Sequence, residues 1–471
     1  MPLIVSAFFR RRLARAGLCL LAGCVAPAFA QPLPQLYQAA LLRDPAVAGA
    51  MAQLQAAEHR VTQARAGFGP SATLSAGNTA TRYREAPAYD PVRPFHATTA
   101  SLQVTQPLFR PALLPALDAA LAQVVQAQAS LMQARGEAAQ RLVEASFDLL
   151  KARDTLAYAE AQRAATDAQL LAAKRSYQLG TAAVTDLRES EAKADLVAAQ
   201  VAASEAELDL RRQVLTELVG PPPDAPLAGA GLLARTLDSA RLPPLAGADA
   251  LGWLTVAQAG NPQLQQAQQA LLVAEAELRR AWLGHSPTAE LTYNYTMSRD
   301  TGTVTSFFPR EGDTSAVGLN INVPLFASGA TQARVREASA QRDKALADVA
   351  VARRTVTLGV RQGFSAALSA IAQARALDLA QRSQTLSLRA NQRGYEVGMK
   401  VNADVLEAQS KLFEVRRDLA RARYDAWLAH ARLQALGGQL GEAELAQLDG
   451  LLIDVEPQKM LPPRPPRALS R

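Results

Sequence analysis

Two pairs of carboxylates, Asp186 with Glu189 and Asp404 with Glu407, stand three residues apart at the starts of helical stretches. Residues at that spacing share one helix face. On spacing alone, the chemistry open to them is capping: acids in a first turn are favoured by the helix dipole and can bond its free amides. His59, His96, His285 and His430 fall on separate elements without metal-ligand spacing. The chain shows no nucleophile elbow, P-loop or glycine-rich dinucleotide turn. The residues therefore predict a protein that is not an enzyme, needs no cofactor and draws its energy from a partner.

The elements that position these acids occur twice, about 217 residues apart. Asp44-Pro45 recurs as Asn261-Pro262, and Phe68-Gly69-Pro70 as His285-Ser286-Pro287. Gln106-Pro107-Leu108-Phe109 recurs as Val323-Pro324-Leu325-Phe326. Tyr177 to Gly180 recurs as Tyr395 to Gly398, and the copies end at Val219-Gly220 and Leu436-Gly437. Conserved order across a whole unit marks a duplication, which decides the fold before anything else does. Each copy reads helix, strand pair, long helix, hairpin tip, second helix.

The first copy spans 31–220, with helices over 36–66, 112–179 and 185–219 and strands near 71–83 and 96–109. The second spans 250–437, with helices over 253–284, 328–392 and 402–436 and strands near 289–298 and 315–326. A Pro- and Gly-rich connector, 221–249, joins them, and 438–471 reads as a tail. From Pro115 to Leu179 there is no further proline, enough for a helix of about 95 Å at about 1.5 Å per residue. Leu187, Ala194, Val201, Leu208 and Leu215 form one heptad seam, and Val405, Leu412, Leu419, Ala426 and Leu433 form its counterpart. Gly180 and Gly398 are placed to turn the two hairpin tips.

Residues 1–30 read as an export leader, with Arg10, Arg11, Arg12 and Arg15 ahead of a short apolar run. Two processing routes fit it: cleavage after Ala28-Phe29-Ala30, or lipidation of Cys24 in Leu21-Ala22-Gly23-Cys24. The whole chain carries a net +7, and losing those four Arg leaves about +3, so no basic surface argues for nucleic acid. Cys19 and Cys24 are the only cysteines, so cleavage after Ala30 would leave neither disulfides nor thiolate ligands.

Between the helices the period changes from 3.6 to 2. Leu291, Tyr293, Tyr295 and Met297 alternate with Glu290, Thr292, Asn294 and Thr296. Val317, Leu319, Ile321 and Val323 alternate with Gly318, Asn320 and Asn322. Such ten-residue alternation suits transmembrane β-strands. Phe307-Phe308 then marks the barrel mouth, while Trp253, Trp282 and Trp427 read as core. Four strands cannot close, and an open edge in hydrocarbon leaves backbone groups unsatisfied. Several chains must share one barrel. Three chains give 12 strands, an even number in the bacterial range.

The leader, the duplicated unit, the Pro-Leu-Phe strand exits and the run from Tyr395 through Asp404-Val-Leu-Glu-Ala408 together resemble the TolC family of outer-membrane efflux proteins. The stretch Gln35 to Ala40 followed by Asp44-Pro45 resembles its secretion-type members. The resemblance implies a mainly α protein with a transmembrane β-barrel: a homotrimeric channel-tunnel in outer-membrane lipid, its 12-stranded barrel continuing into a periplasmic α-helical tunnel. It implies a periplasmic adaptor and an inner-membrane transporter of ABC or RND type as partners. It favours cleavage at Ala30, because lipidated members carry a longer segment before the first helix. It also assigns gate links to Asp186, Tyr395 and Lys400, with Lys where the family often has Arg, and an acidic pore constriction to Asp404 and Glu407. The expected function is the exit duct of type I secretion, with an RTX-type exoprotein as cargo. The alternatives are a small-molecule efflux duct and a periplasmic coiled-coil spacer without a pore.

Overall fold

The computed structural model describes residues 32–83, 93–180, 183–221, 230–238, 241–245, 249–303, 306 and 308–454. The leader with Cys19 and Cys24, Phe307 and the chain after Asp454 lie outside these.

Proline sets the first breaks. Helix α1 (Leu33–Arg43) stops at Asp44, and α2 (Pro45–Ala66) starts at the proline, whose missing N–H costs nothing at that position. Asp44 Oδ1 accepts from the amides of Ala46 (2.8 Å) and Val47 (3.4 Å), while its other oxygen meets Arg141 at 2.5 Å. The second copy repeats the device. Helices α6 (Ala250–Gly260) and α7 (Pro262–Trp282) are divided at Asn261, whose Oδ1 caps Leu264 at 3.0 Å. Its Nδ2 donates to the Leu436 carbonyl at 2.9 Å. What reads as one helix per copy is thus two, and each break tethers the short helices to a long one.

Four strands form a single antiparallel sheet in the order β1 (Ser71–Tyr83), β2 (Arg93–Phe109), β4 (Thr288–Asp300) and β5 (Arg310–Asn322). The register stacks like with like. Ala72, Val104, Tyr293 and Val317 make one row, and Leu74, Leu102, Tyr295 and Ser315 the next. On the opposite face Ser75, Ser101, Thr296 and Thr314 align, and Ser75 and Ser101 share a 2.7 Å hydrogen bond. The apolar face is open: Val317, Leu319 and Ile321 are 72%, 59% and 65% exposed. From Ala289 to Met297 it runs about 27 Å along the strand at about 3.4 Å per residue, the roughly nine to eleven residues that a tilted strand needs to cross a bilayer. An Arg299–Glu311 ion pair (2.7 Å) bounds it above. The return strand ends at Asn322, so the Val323-Pro324-Leu325-Phe326 exit lies past the sheet. Strands β1 and β5 each keep one unpaired edge within the chain.

Two helical hairpins hang from the sheet: α3 (Leu113–Gln178) with α4 (Val184–Val219), and α8 (Ala330–Glu396) with α9 (Asn402–Leu436). Helix α3 packs on α4 and α9, and α9 on α8, so the four lie side by side as α4, α3, α9, α8. Nearer the sheet, α2, α3, α7 and α8 take the same arrangement. No described helix is long and apolar enough to cross a membrane. The connector and supposed tail are partly folded. Within them α5 (Ala230–Leu233), β3 (Arg235–Leu237), α10 (Glu442–Asp449) and β6 (Leu452–Asp454) form a belt around the bundle's middle, with β3 paired to β6. Asp449 Oδ1 accepts from Arg235 at 2.7 Å and from the Leu33 amide at 2.9 Å. The largest core lies beneath this belt, where Phe147, Leu149 and Leu150 of α3 meet Tyr424 and Trp427 of α9.

Candidate functional site

The candidate site is the end of the hairpins away from the sheet. Both tips turn through a left-handed glycine, Gly180 at φ 73° and Gly398 at φ 77°, a backbone that side chains disfavour. At the second tip the Gly398 amide donates to the Tyr395 carbonyl (3.0 Å) and the Met399 amide to the Gly394 carbonyl (2.8 Å). These two bonds make a Schellman stop, which satisfies the last carbonyls of α8. The first tip repeats the inner bond, Gly180 to Tyr177, at 3.0 Å. Tyr177 and Tyr395 are exposed.

The acids do not cap. The residues at the cap positions are Ala183 for α4 and Val401 for α9, and neither helix has a side-chain cap. Hydrogen bonding by Lys411 at 2.7 Å, with its charge, holds the Glu407 carboxyl below the usual range. The charge of Lys193, on α4, acts in the same direction across the two hairpins. Asp404 takes Lys400 of the tip loop, four residues back, at 3.2 Å. Lys400 is therefore engaged within its own hairpin. Among the described residues no hydrogen bond or ion pair joins Asp186 to Tyr395 or Lys400.

A bond that sequence reading missed sits here instead. Asn402 Nδ2 donates to Ser190 Oγ at 3.2 Å, and Ser190 in turn donates to the Asp186 carbonyl at 2.8 Å. Both side chains are buried, Ser190 completely. Ser190 occupies a seam position three residues after Leu187. A polar side chain in an apolar seam is the signal that could have found it, because such residues often set register.

Elsewhere His430 lies buried between the edges of Trp253 and Trp427, each 5.9 Å away between ring centroids. Trp253 and Trp427 thus pack as core, whereas Trp282, at the sheet-side end of α7, is exposed. No described group of His, Cys, Asp and Glu has the arrangement to hold a metal.

A half-exposed sheet with two open edges, set on paired coiled coils, defines one subunit of a shared outer-membrane barrel with a helical tunnel. Known proteins agree. The family described as "Outer membrane efflux protein" matches residues 36–221 and 253–439, one match per copy, and the chain belongs to it. The outer membrane protein TolC of Vibrio cholerae is 29% identical over 427 residues, covering 89% of this chain and 94% of that protein. The alkaline protease secretion protein AprF of Pseudomonas aeruginosa is 29% identical over 293 residues, covering 62% of this chain and 59% of its own. Among solved structures, the outer membrane protein VceC of Vibrio cholerae superposes with a TM-score of 0.70 at 20% identity, covering 87% of this chain and 97% of that one.

Proposed function

We propose that this outer-membrane channel is the exit duct of a tripartite type I secretion system and passes an unfolded protein, with an RTX-type exoprotein as the natural cargo. The observation that carries the secretion reading is the likeness to a protease secretion protein across about three fifths of both chains. Three copies supply the 12 strands that remove the open edges of β1 and β5. The same closure brings the free side of α8 in one copy against that of α4 in the next. A periplasmic adaptor and an inner-membrane ABC transporter engage the tip end and supply the energy.

In this reading three copies of Asp404 and Glu407 ring the tunnel entrance. Asp186 does not meet Lys400 or Tyr395 within a chain, so any link among them runs between neighbouring copies, from the α8 tip to the α4 tip. A second reading, an efflux duct for small molecules with an RND partner, is favoured by the family's own description. Deleting the gene and comparing spent-medium proteins with drug susceptibility separates the two. Loss of one exported protein at unchanged susceptibility supports secretion. Hypersusceptibility with an unchanged secretome sinks it.

A further inference from the structure

From the geometry of the tips we infer that the latch holding the two hairpins together within each chain is the Asn402–Ser190 hydrogen bond. This inference rests on the reading above that the hairpin tips ring the tunnel entrance. Three observations carry it. First, the bond is buried: Ser190 is fully enclosed and Asn402 nearly so. A buried amide and hydroxyl that part without entering water lose a partner each, so the pair is discriminating about where the helices sit. Second, it ties α4 directly to α9, a pair that otherwise touches little; the rest of the packing between the hairpins is α3 against α9. Helix α4 packs mainly on α3, and α9 mainly on α8. The hydrogen bond from Tyr424 to Asp154 (3.0 Å) and the ion pairs Lys151–Asp425 and Arg432–Glu144 join the hairpins far above, around the belt.

Third, the charged candidates nearby are committed elsewhere: Lys400 to Asp404, Glu407 to Lys411. Asn402 is the first residue of α9, one past the cap position held by Val401. Its amide reaches the other hairpin, and Ser190 passes the bond to the Asp186 carbonyl. The latch thus fixes the backbone of Asp186 and leaves that residue's carboxylate free to face a neighbouring copy. Lys193, one turn beyond Ser190, adds attraction to Glu407 across the same seam. Opening would separate α4 from α9 at this point before either tip could swing outward.

The test is single-channel conductance of the purified full-length trimer in planar bilayers. Ser190→Ala keeps a helix-favouring residue, so it isolates the hydroxyl. It and Asn402→Ala should each raise conductance at least about twofold by destabilising the closed state, with the trimer intact by size. The double variant should open no further than either single, since both remove one bond. Asp186→Ala and Tyr395→Phe run beside them. If these two open the channel while Ser190→Ala and Asn402→Ala conduct like the parent, the latch is wrong and the duct reading stands. If neither the parent nor any variant conducts, the duct reading falls and the latch with it.

Discussion

The residues at the tunnel tip are charged but largely compensated. Asp404 pairs with Lys400 of the tip loop and Glu407 with Lys411 one turn on in α9, and Lys193 acts on Glu407 from α4. Exposed pairs of this kind add little stability; at the constriction proposed above they would set the field. Replacing both acids with Ala therefore leaves uncovered lysines, and the preference of the channel should move toward anions. Lys411→Gln should move it the other way. Reversal potentials in a salt gradient read both, and identical potentials for parent and variants would show that the acids lie off the pore. His430 gives a second residue-scale prediction. Burial against two Trp rings, with Nδ1 lacking a partner, holds its pKa below the ordinary value. A depressed pKa means the unfolded chain binds the extra proton more readily. The His430 contribution is therefore complete above about pH 6.5, and it declines as pH falls through the lower folded value. His430→Phe should flatten the melting temperature over that window. A parent and variant with parallel pH profiles would contradict this.

At the scale of elements the sheet offers the sharpest contrast. Leu319 and Asn320 are neighbours on β5, facing opposite sides. Arg at Leu319 should cost about 2–4 kcal/mol near the bilayer midplane. Arg at Asn320 should be tolerated, with loss only of its 3.3 Å bond to Thr292. Denaturant titration of protein refolded into lipid compares them, and equal cost on both faces would place this hairpin outside the membrane. The same alternation made these strands legible in sequence, because period 2 and flanking prolines are local signals. The long helices were legible for a like reason. The belt was not. Apart from the eight-residue α10, its pieces, Ala230–Leu233, Arg235–Leu237 and Leu452–Asp454, are three or four residues long. Segments that short have no period, and β3 exists only because β6, over two hundred residues away, pairs with it. Asn402–Ser190 was hidden likewise, since its partners are 212 residues apart. The acids do not cap because α4 and α9 begin at Val184 and Asn402, which puts Asp186 and Asp404 in the first turns but past the cap positions, a one- to three-residue offset that spacing does not fix.

For the molecule as a whole, the unfinished surfaces of one chain match those of another. Helix α8 carries an exposed heptad line, Val351, Leu358, Ser365, Ala372, Leu379 and Leu386, apolar at every step but Ser365, with both Leu379 and Leu386 at 64% exposure. Helix α4 carries another, Leu196, Ala203 and Leu210. Helices α8 and α4 are the two outer members of the four-helix row, so in the proposed trimer these lines are the ones available to neighbouring copies. The protein in detergent should therefore weigh about three chains by light scattering. Leu379→Glu with Leu386→Glu should shift it toward monomer, and a parent monomer would refute the shared barrel. The belt carries a further consequence. Leu33, at the start of the first described helix, is hydrogen-bonded to Asp449, and the connector passes the same level through β3. The junction between the two copies and the two ends of the described chain therefore sit side by side. Topologically the chain is almost a closed ring, and a short bridge from the belt strand β6 back to α1 would let it be reopened in the connector. A circular permutant of that kind would translate the second copy first while conserving every strand neighbour, making the order of the halves a matter of gene history and not of architecture.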